Sequence, residues 1–108
     1  MNDRELLEMS AKACGIEIEM WSNCQAGGFQ TQEGARGKFW NPLDDDGDAM
    51  RLLTKLNLEI ERSKLADRAY VGLVGEAPWV EYVNDEQDIY ACTRRAIVCA
   101  SAEIGRGM

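Results

Sequence analysis

The chain has 108 residues, 45 % hydrophobic and 29 % charged, which suits one globular domain that buries about 65 % of its unfolded surface and leaves no room for two. Twelve basic against nineteen acidic side chains give a net charge of −7 at pH 7, which repels phosphate backbones and counts against non-specific nucleic-acid binding. No apolar run is long enough to span a bilayer, and the opening Met1, Asn2, Asp3, Arg4, Glu5 carries no signal-peptide pattern, so the expected compartment is the cytoplasm.

Asn2 stands three residues before Glu5, a variant of the capping box, and Leu6, Leu7, Ser10, Ala13 and Cys14 follow at helical spacing until Gly15 stops the helix. Ile16, Ile18 and Met20 then alternate with Glu17, Glu19 and Trp21, the pattern of a half-buried strand with one face to the core. Residues 22–37 hold four glycines and several amides and read as a loop, a short strand near Phe29 to Gln32 and a turn. A hairpin with a rim is the plainer account of this stretch, a recognition loop the functional one.

The centre of the chain is GKFWNPLDDDGDAMRLLTKLNLEIE, residues 37–61. Phe39 and Trp40 favour a strand, and Asn41-Pro42 ends it, because proline lacks a backbone donor and pushes its predecessor away from helical angles. One of Asp44, Asp45 and Asp46 is then the N-cap of a helix running from about Asp46 to Leu56, with the aspartates at the positive end of its dipole. Met50, Leu52, Leu53 and Leu56 make its apolar stripe.

Leu58 and Ile60 alternate with Glu59 and Glu61 in a strand that starts within a residue or two of the helix. Asp67 and Arg68 read as a turn, and Tyr70 to Val74 and Trp79 to Val83 as two more strands of a meander. The last helix is expected after Asn84, with Asp85, Glu86 and Asp88 in its first turn and Gly105 and Gly107 ending it. Its small residues, Ala91, Cys92, Ala96, Cys99 and Ala100, allow close backbone approach, while Arg94 and Arg95 read as its solvated far side. The fold class is therefore α+β, a layered helix/sheet sandwich of order α-β-(β)-β-α-β-β-β-α on an antiparallel or mixed sheet.

The motifs that would carry chemistry are weak. Asp44, Asp46 and Gly47 suggest a calcium loop, but Pro42 and Leu53 stand where its end ligands belong; Mg²⁺ on Asp45 and Asp48 is the remaining metal reading, and helix capping explains the same residues better. Cys14, Cys24, Cys92 and Cys99 have no C-x-x-C spacing and there is no histidine, so neither a usual zinc set nor a cysteine–histidine nucleophile is expected. Cys92 and Cys99 lie about 10 Å apart along one helix and cannot bridge. Cys24, in a glycine-flanked loop, is the one candidate reactive thiol. No catalytic residue, metal ligand or cofactor is assigned.

Two segments, WNPLDDDGDAMRLLTKL at 40–56 and YACTRRAIVCASAEIGRGM at 90–108, together with the opening NDRELLEMSAKACGI, resemble the small phage proteins of the phage ABA-sandwich domain family and, more loosely, NinX-like phage proteins. The likeness implies a phage or prophage origin and a layered helix–sheet–helix fold, and it supplies no reaction. From the central helix onward the order helix, three strands, helix is also that of double-stranded RNA-binding domains, but the last helix lacks their lysine cluster.

The leading expectation is a non-enzymatic module that binds a host or phage protein in host takeover or counter-defence, through Asp44, Asp45, Asp46, Asp48, Arg94 and Arg95. With Glu59 and Glu61, the aspartates would imitate a phosphate backbone toward a basic partner. The rivals are a nucleic-acid-binding module using Arg94, Arg95 and Arg106, and a metal-dependent hydrolase at the aspartates. A homodimer is expected if Trp21, Trp40 or Trp79 lies on an exposed sheet face.

Overall fold

The computed structural model of the chain describes residues 2–22, 28–31, 39–62, 68–73, 80–83 and 89–108. The class is α+β. Among the described residues the elements are α1 (Asp3–Cys14), β1 (Ile18–Ser22), β2 (Gly28–Thr31), β3 (Phe39–Trp40), α2 (Asp46–Lys55), β4 (Leu58–Arg62), β5 (Arg68–Leu73), β6 (Val80–Val83) and α3 (Ile89–Arg106). None of these helices is long and apolar enough to cross a membrane.

Local chemistry sets the helix ends. Asn2 Oδ1 accepts from the Glu5 amide at 2.8 Å, which satisfies a donor that the first turn of α1 leaves free. At the other end Gly15 takes φ 70°, and the Gly15 and Ile16 amides donate back to Lys12 and Ala11. That is the Schellman arrangement, and it turns the chain sharply into the residues before β1. Asp45 caps α2, its Oδ2 accepting from the Asp48 amide at 2.8 Å. Asn57, at φ 55°, reverses the chain from α2 into β4; asparagine tolerates this left-handed conformation better than most side chains.

Among the described residues the strands form two antiparallel meanders, β1-β2-β3 and β4-β5-β6, where the sequence suggested one sheet. Alternation within a strand specifies which face is apolar but not which strand lies beside it, so the sequence pattern fits either arrangement. In the first sheet the β1–β2 register shifts between Ile18 and Trp21. A bulge there changes the face to which the next side chains point. Trp21 accordingly packs against the core as Ile18 does, with its ring edge-on to Phe29 at 5.0 Å, and not on the opposite face, where strict alternation would put it. Gly28 sits opposite the end of β3, where a Cβ would come within 3.3 Å of the Trp40 carbonyl oxygen.

Three further expectations are corrected. Arg68 begins β5 and is not part of a turn. Met50 is 59 % exposed, and the buried face of α2 is Asp48, Ala49 and Leu52, with Leu53 and Leu56 at its edge. Gly105 does not end α3, which continues to Arg106. The proposed first turn of α3 at 85–88, and the strand-end residues Val74 and Trp79, lie outside the described residues.

The core joins the helices to both sheets. Leu7, Ala11 and Cys14 of α1 and Ala96, Ile97, Val98 and Ala100 of α3 are buried together, with Phe29, Trp40, Leu58 and Val71 supplied by strands. α1 meets α3 at Asp3 with Arg95 and at Lys12 with Met108, so the two helices run in the same direction. Small side chains let them approach closely. Buried Ser10 bridges the seam, with its hydroxyl 2.8 Å from the Leu6 carbonyl and 3.1 Å from that of Val98; Ser101 donates to Ile97 within its own helix. α3 also packs on β5 and β6, and α2 on β4.

Candidate binding cleft

The turn after β3 is locked from both sides. The Asn41 carbonyl accepts from the amides of Asp44 and Asp45, at 3.1 and 2.9 Å, and its side-chain Oδ1 accepts from the Leu43 amide at 3.0 Å. Its own amide donates to Asp48 Oδ2 at 3.0 Å. Asp48 is only 5 % exposed, and its other oxygen accepts from Arg51 Nη1 at 3.0 Å. A buried carboxylate is costly unless it is paired and hydrogen-bonded, and here it is both. This side chain therefore holds the Asn41-Pro42 turn onto α2 and is not part of an open acidic row.

Arg94 reaches the same turn from α3. Its Nε donates to the Leu43 carbonyl at 2.8 Å and its Nη1 to Asp46 Oδ1 at 2.7 Å, with the arginine side chain only 16 % exposed. One turn of helix cannot show such a bond in the sequence, because donor and acceptor are 51 residues apart. Arg95 donates from Nη2 to Asp3 Oδ1 at 2.9 Å and so ties α3 to the first turn of α1. The expectation of a solvated arginine face is overturned for both residues. The guanidinium fork suits this bridging role, since it presents several donors in a fixed plane.

These contacts frame a cleft of about 250 Å³. Trp21 of β1 and Leu43 of the turn supply its apolar surface, with the fully buried Leu7 of α1 behind them. Asp3, Asp44, Arg94 and Arg95 supply charge, and Asn41 and Ala91 complete the lining. Outside it, Arg4 of α1 lies over the Trp21 ring, 5.8 Å from the centroid, a cation–π distance. The walls come from four separate chain segments, which is why the sequence singled out Asp44, Arg94 and Arg95 but missed Asp3, Leu7, Trp21 and Leu43.

The six candidate partner-binding residues thus divide. Asp44, Arg94 and Arg95 line the cleft, Asp46 lies behind it as the partner of Arg94, and Asp45 and Asp48 are engaged in capping and in holding the turn. Among the described residues no three histidine, cysteine or carboxylate side chains converge as a metal site would require. Glu59 is exposed on β4. Arg106 pairs with Glu103 at 3.1 Å on the surface.

The thiols divide similarly. Cys14 and Cys92 are buried, and burial pushes the half-exposed Cys99 thiol above its ordinary value although the Arg95 charge pulls the other way. A raised thiol keeps its proton and is a poor nucleophile at neutral pH. Cys24 lies outside the described residues. Trp40 is buried, Trp21 is half-buried, and Trp79 is outside the described residues.

No family model, curated protein or solved structure matches the chain.

Proposed function

We propose that the chain is a non-enzymatic protein-binding module of phage or prophage origin, a layered helix–sheet sandwich that acts in the cytoplasm of the host cell on a host or phage protein. The observation that carries this reading is the cleft, in which a small apolar surface of Trp21 and Leu43 is rimmed by Asp3, Asp44, Arg94 and Arg95. Protein interfaces are built this way, with an apolar anchor position inside a polar rim. Ion pairs from the chain's own residues brace the walls, so the cleft is formed before a partner arrives and loses little entropy on binding. Its volume of about 250 Å³ suits one or two side chains and falls below the roughly 300–1,000 Å³ of ordinary small-molecule sites. The phage origin rests on the resemblance of residues 40–56 and 90–108.

Affinity purification of the tagged protein from a bacterial host lysate, with and without nuclease, tests this. A stoichiometric protein partner that survives nuclease and is lost when Ala91→Leu narrows the cleft is the expected result. Recovery of no protein at low as well as moderate salt would overturn the reading.

Nucleic-acid binding is the second reading, favoured by the order α2, β4-β5-β6 antiparallel meander, α3. It is weakened because Arg94, Arg95 and Arg106 each already hold a carboxylate of this chain. Affinity for a short duplex at low salt would support it, and none would remove it.

A further inference from the structure

We propose that the cleft takes one lysine or arginine side chain from a basic segment of the partner, with its methylene stem against Trp21 and Leu43 and its charged head at Asp44. The proposal rests on the protein-binding reading and adds the chemistry of what is bound.

Charge accounting within the cleft decides the sign. Arg94 is met by Asp46 at 2.7 Å and Arg95 by Asp3 at 2.9 Å. Asp44 lines the same cleft and is exposed, and among the described residues its carboxylate has no hydrogen bond or ion pair. The lining carries two arginines and two aspartates, and because Asp46 from behind the cleft answers Arg94 while Asp3 answers Arg95, Asp44 is the lining carboxylate left unanswered. An acidic ligand would have to displace Asp3 from Arg95 and would still face Asp44, whereas a cation meets an open acceptor without disturbing either pair.

Shape and long-range field agree with that sign. Lysine and arginine bury an apolar stem while keeping the charged tip near water, and the cleft offers the half-buried Trp21 and Leu43 side chains with the exposed Asp44 carboxylate beside them. The net charge of −7 on 108 residues draws a basic segment toward the surface before contact and makes the association rate sensitive to salt.

Asp44 can be changed without touching the fold, because Asp45 and not Asp44 caps α2. The test is nuclear magnetic resonance titration of the ¹⁵N-labelled full chain with pentalysine and, separately, pentaglutamate at matched ionic strength. Pentalysine should give saturable shifts at the Trp21 indole and the Leu43 and Ala91 amides, and Asp44→Asn should weaken the binding about three- to fivefold, the size of one exposed charge pair. Raised salt should weaken it further, and pentaglutamate should leave these signals unmoved. Shifts confined to other surfaces, an unchanged affinity in Asp44→Asn, or saturable binding of pentaglutamate at the cleft would overturn the proposal. The two readings fail separately. A lysate partner lost with Ala91→Leu but retained undiminished by Asp44→Asn preserves protein binding and sinks the cationic anchor.

Discussion

The backbone of Gly105 in α3 lies against the carbonyl of Met9 in α1, so close that a Cβ added at Gly105 would overlap that carbonyl oxygen. A glycine that resembles a helix stop in the sequence is thus the contact point of two parallel helices. Gly105→Ala raises intrinsic helix propensity by about 1 kcal/mol but forces the seam apart, and overpacking of this kind costs typically about 1–3 kcal/mol. The expected result is a net loss of stability, read as a lower Tm. Gly107→Ala, one residue past the end of α3 where a Cβ meets nothing nearer than 3.6 Å, is the control for an added methyl that overlaps nothing.

Asp48 and Asp44 should behave in opposite ways although they look equivalent in the acidic run. Asp48→Ala leaves the buried Asn41 amide without its acceptor, at a cost of about 2–3 kcal/mol. Asp44→Asn, on an exposed side chain that makes no bond among the described residues, should stay within about 0.5 kcal/mol of the parent. Chemical denaturation of both variants checks the contrast. Equal effects would show that Asp48 does not hold the turn.

Arg94 joins α3 to the Leu43 carbonyl and to Asp46 at once, a geometry that a lysine ammonium cannot reproduce. Arg94→Lys is expected to cost about 1 kcal/mol and Arg94→Ala about 2 kcal/mol, with the Leu43 amide resonance displaced in both. The corresponding loss at Arg106, whose pair with Glu103 is fully on the surface, should be smaller than either.

Burial holds the Cys99 thiol above its ordinary value of 9.0. In the unfolded chain the same thiol ionises first as pH rises, so the folded state binds more protons in that range and stability must fall with pH. The contribution is whole below pH 9 and is lost as pH climbs through the folded value. Guanidinium unfolding at about pH 8 and about pH 10 should show this fall, and Cys99→Ala should reduce it. Maleimide labelling at neutral pH should be slower at Cys99 than for a free thiol.

Much of the local structure was legible because its causes lie within a few residues. Asn2 caps α1 through an amide three positions on, Asp45 does the same for α2, and Gly15 ends α1 through carbonyls three and four residues back. The Asn41-Pro42 turn was readable for the same reason, and so was the alternation of Leu58 and Ile60. Met50 was misjudged because helical periodicity defines a stripe without saying which edge of it the rest of the protein covers. Trp21 could not be placed from the sequence, because a register shift within β1 leaves no mark in its alternation.

The sequence by itself determined the α+β class and the caps of α1 and α2, since propensity, capping and periodicity act over a few neighbouring residues. Only the tertiary structure decided that the strands divide into two sheets, that Gly105 joins two helices, that Asp48 is buried and that Arg94 and Arg95 are tethers. It alone assembled a cleft from Leu7, Trp21, Leu43 and Asp44. The physical reason is separation along the chain: Arg94 lies 51 residues from Leu43 and Arg95 lies 92 from Asp3, and a hydrogen bond across such a distance leaves no periodic trace in either segment.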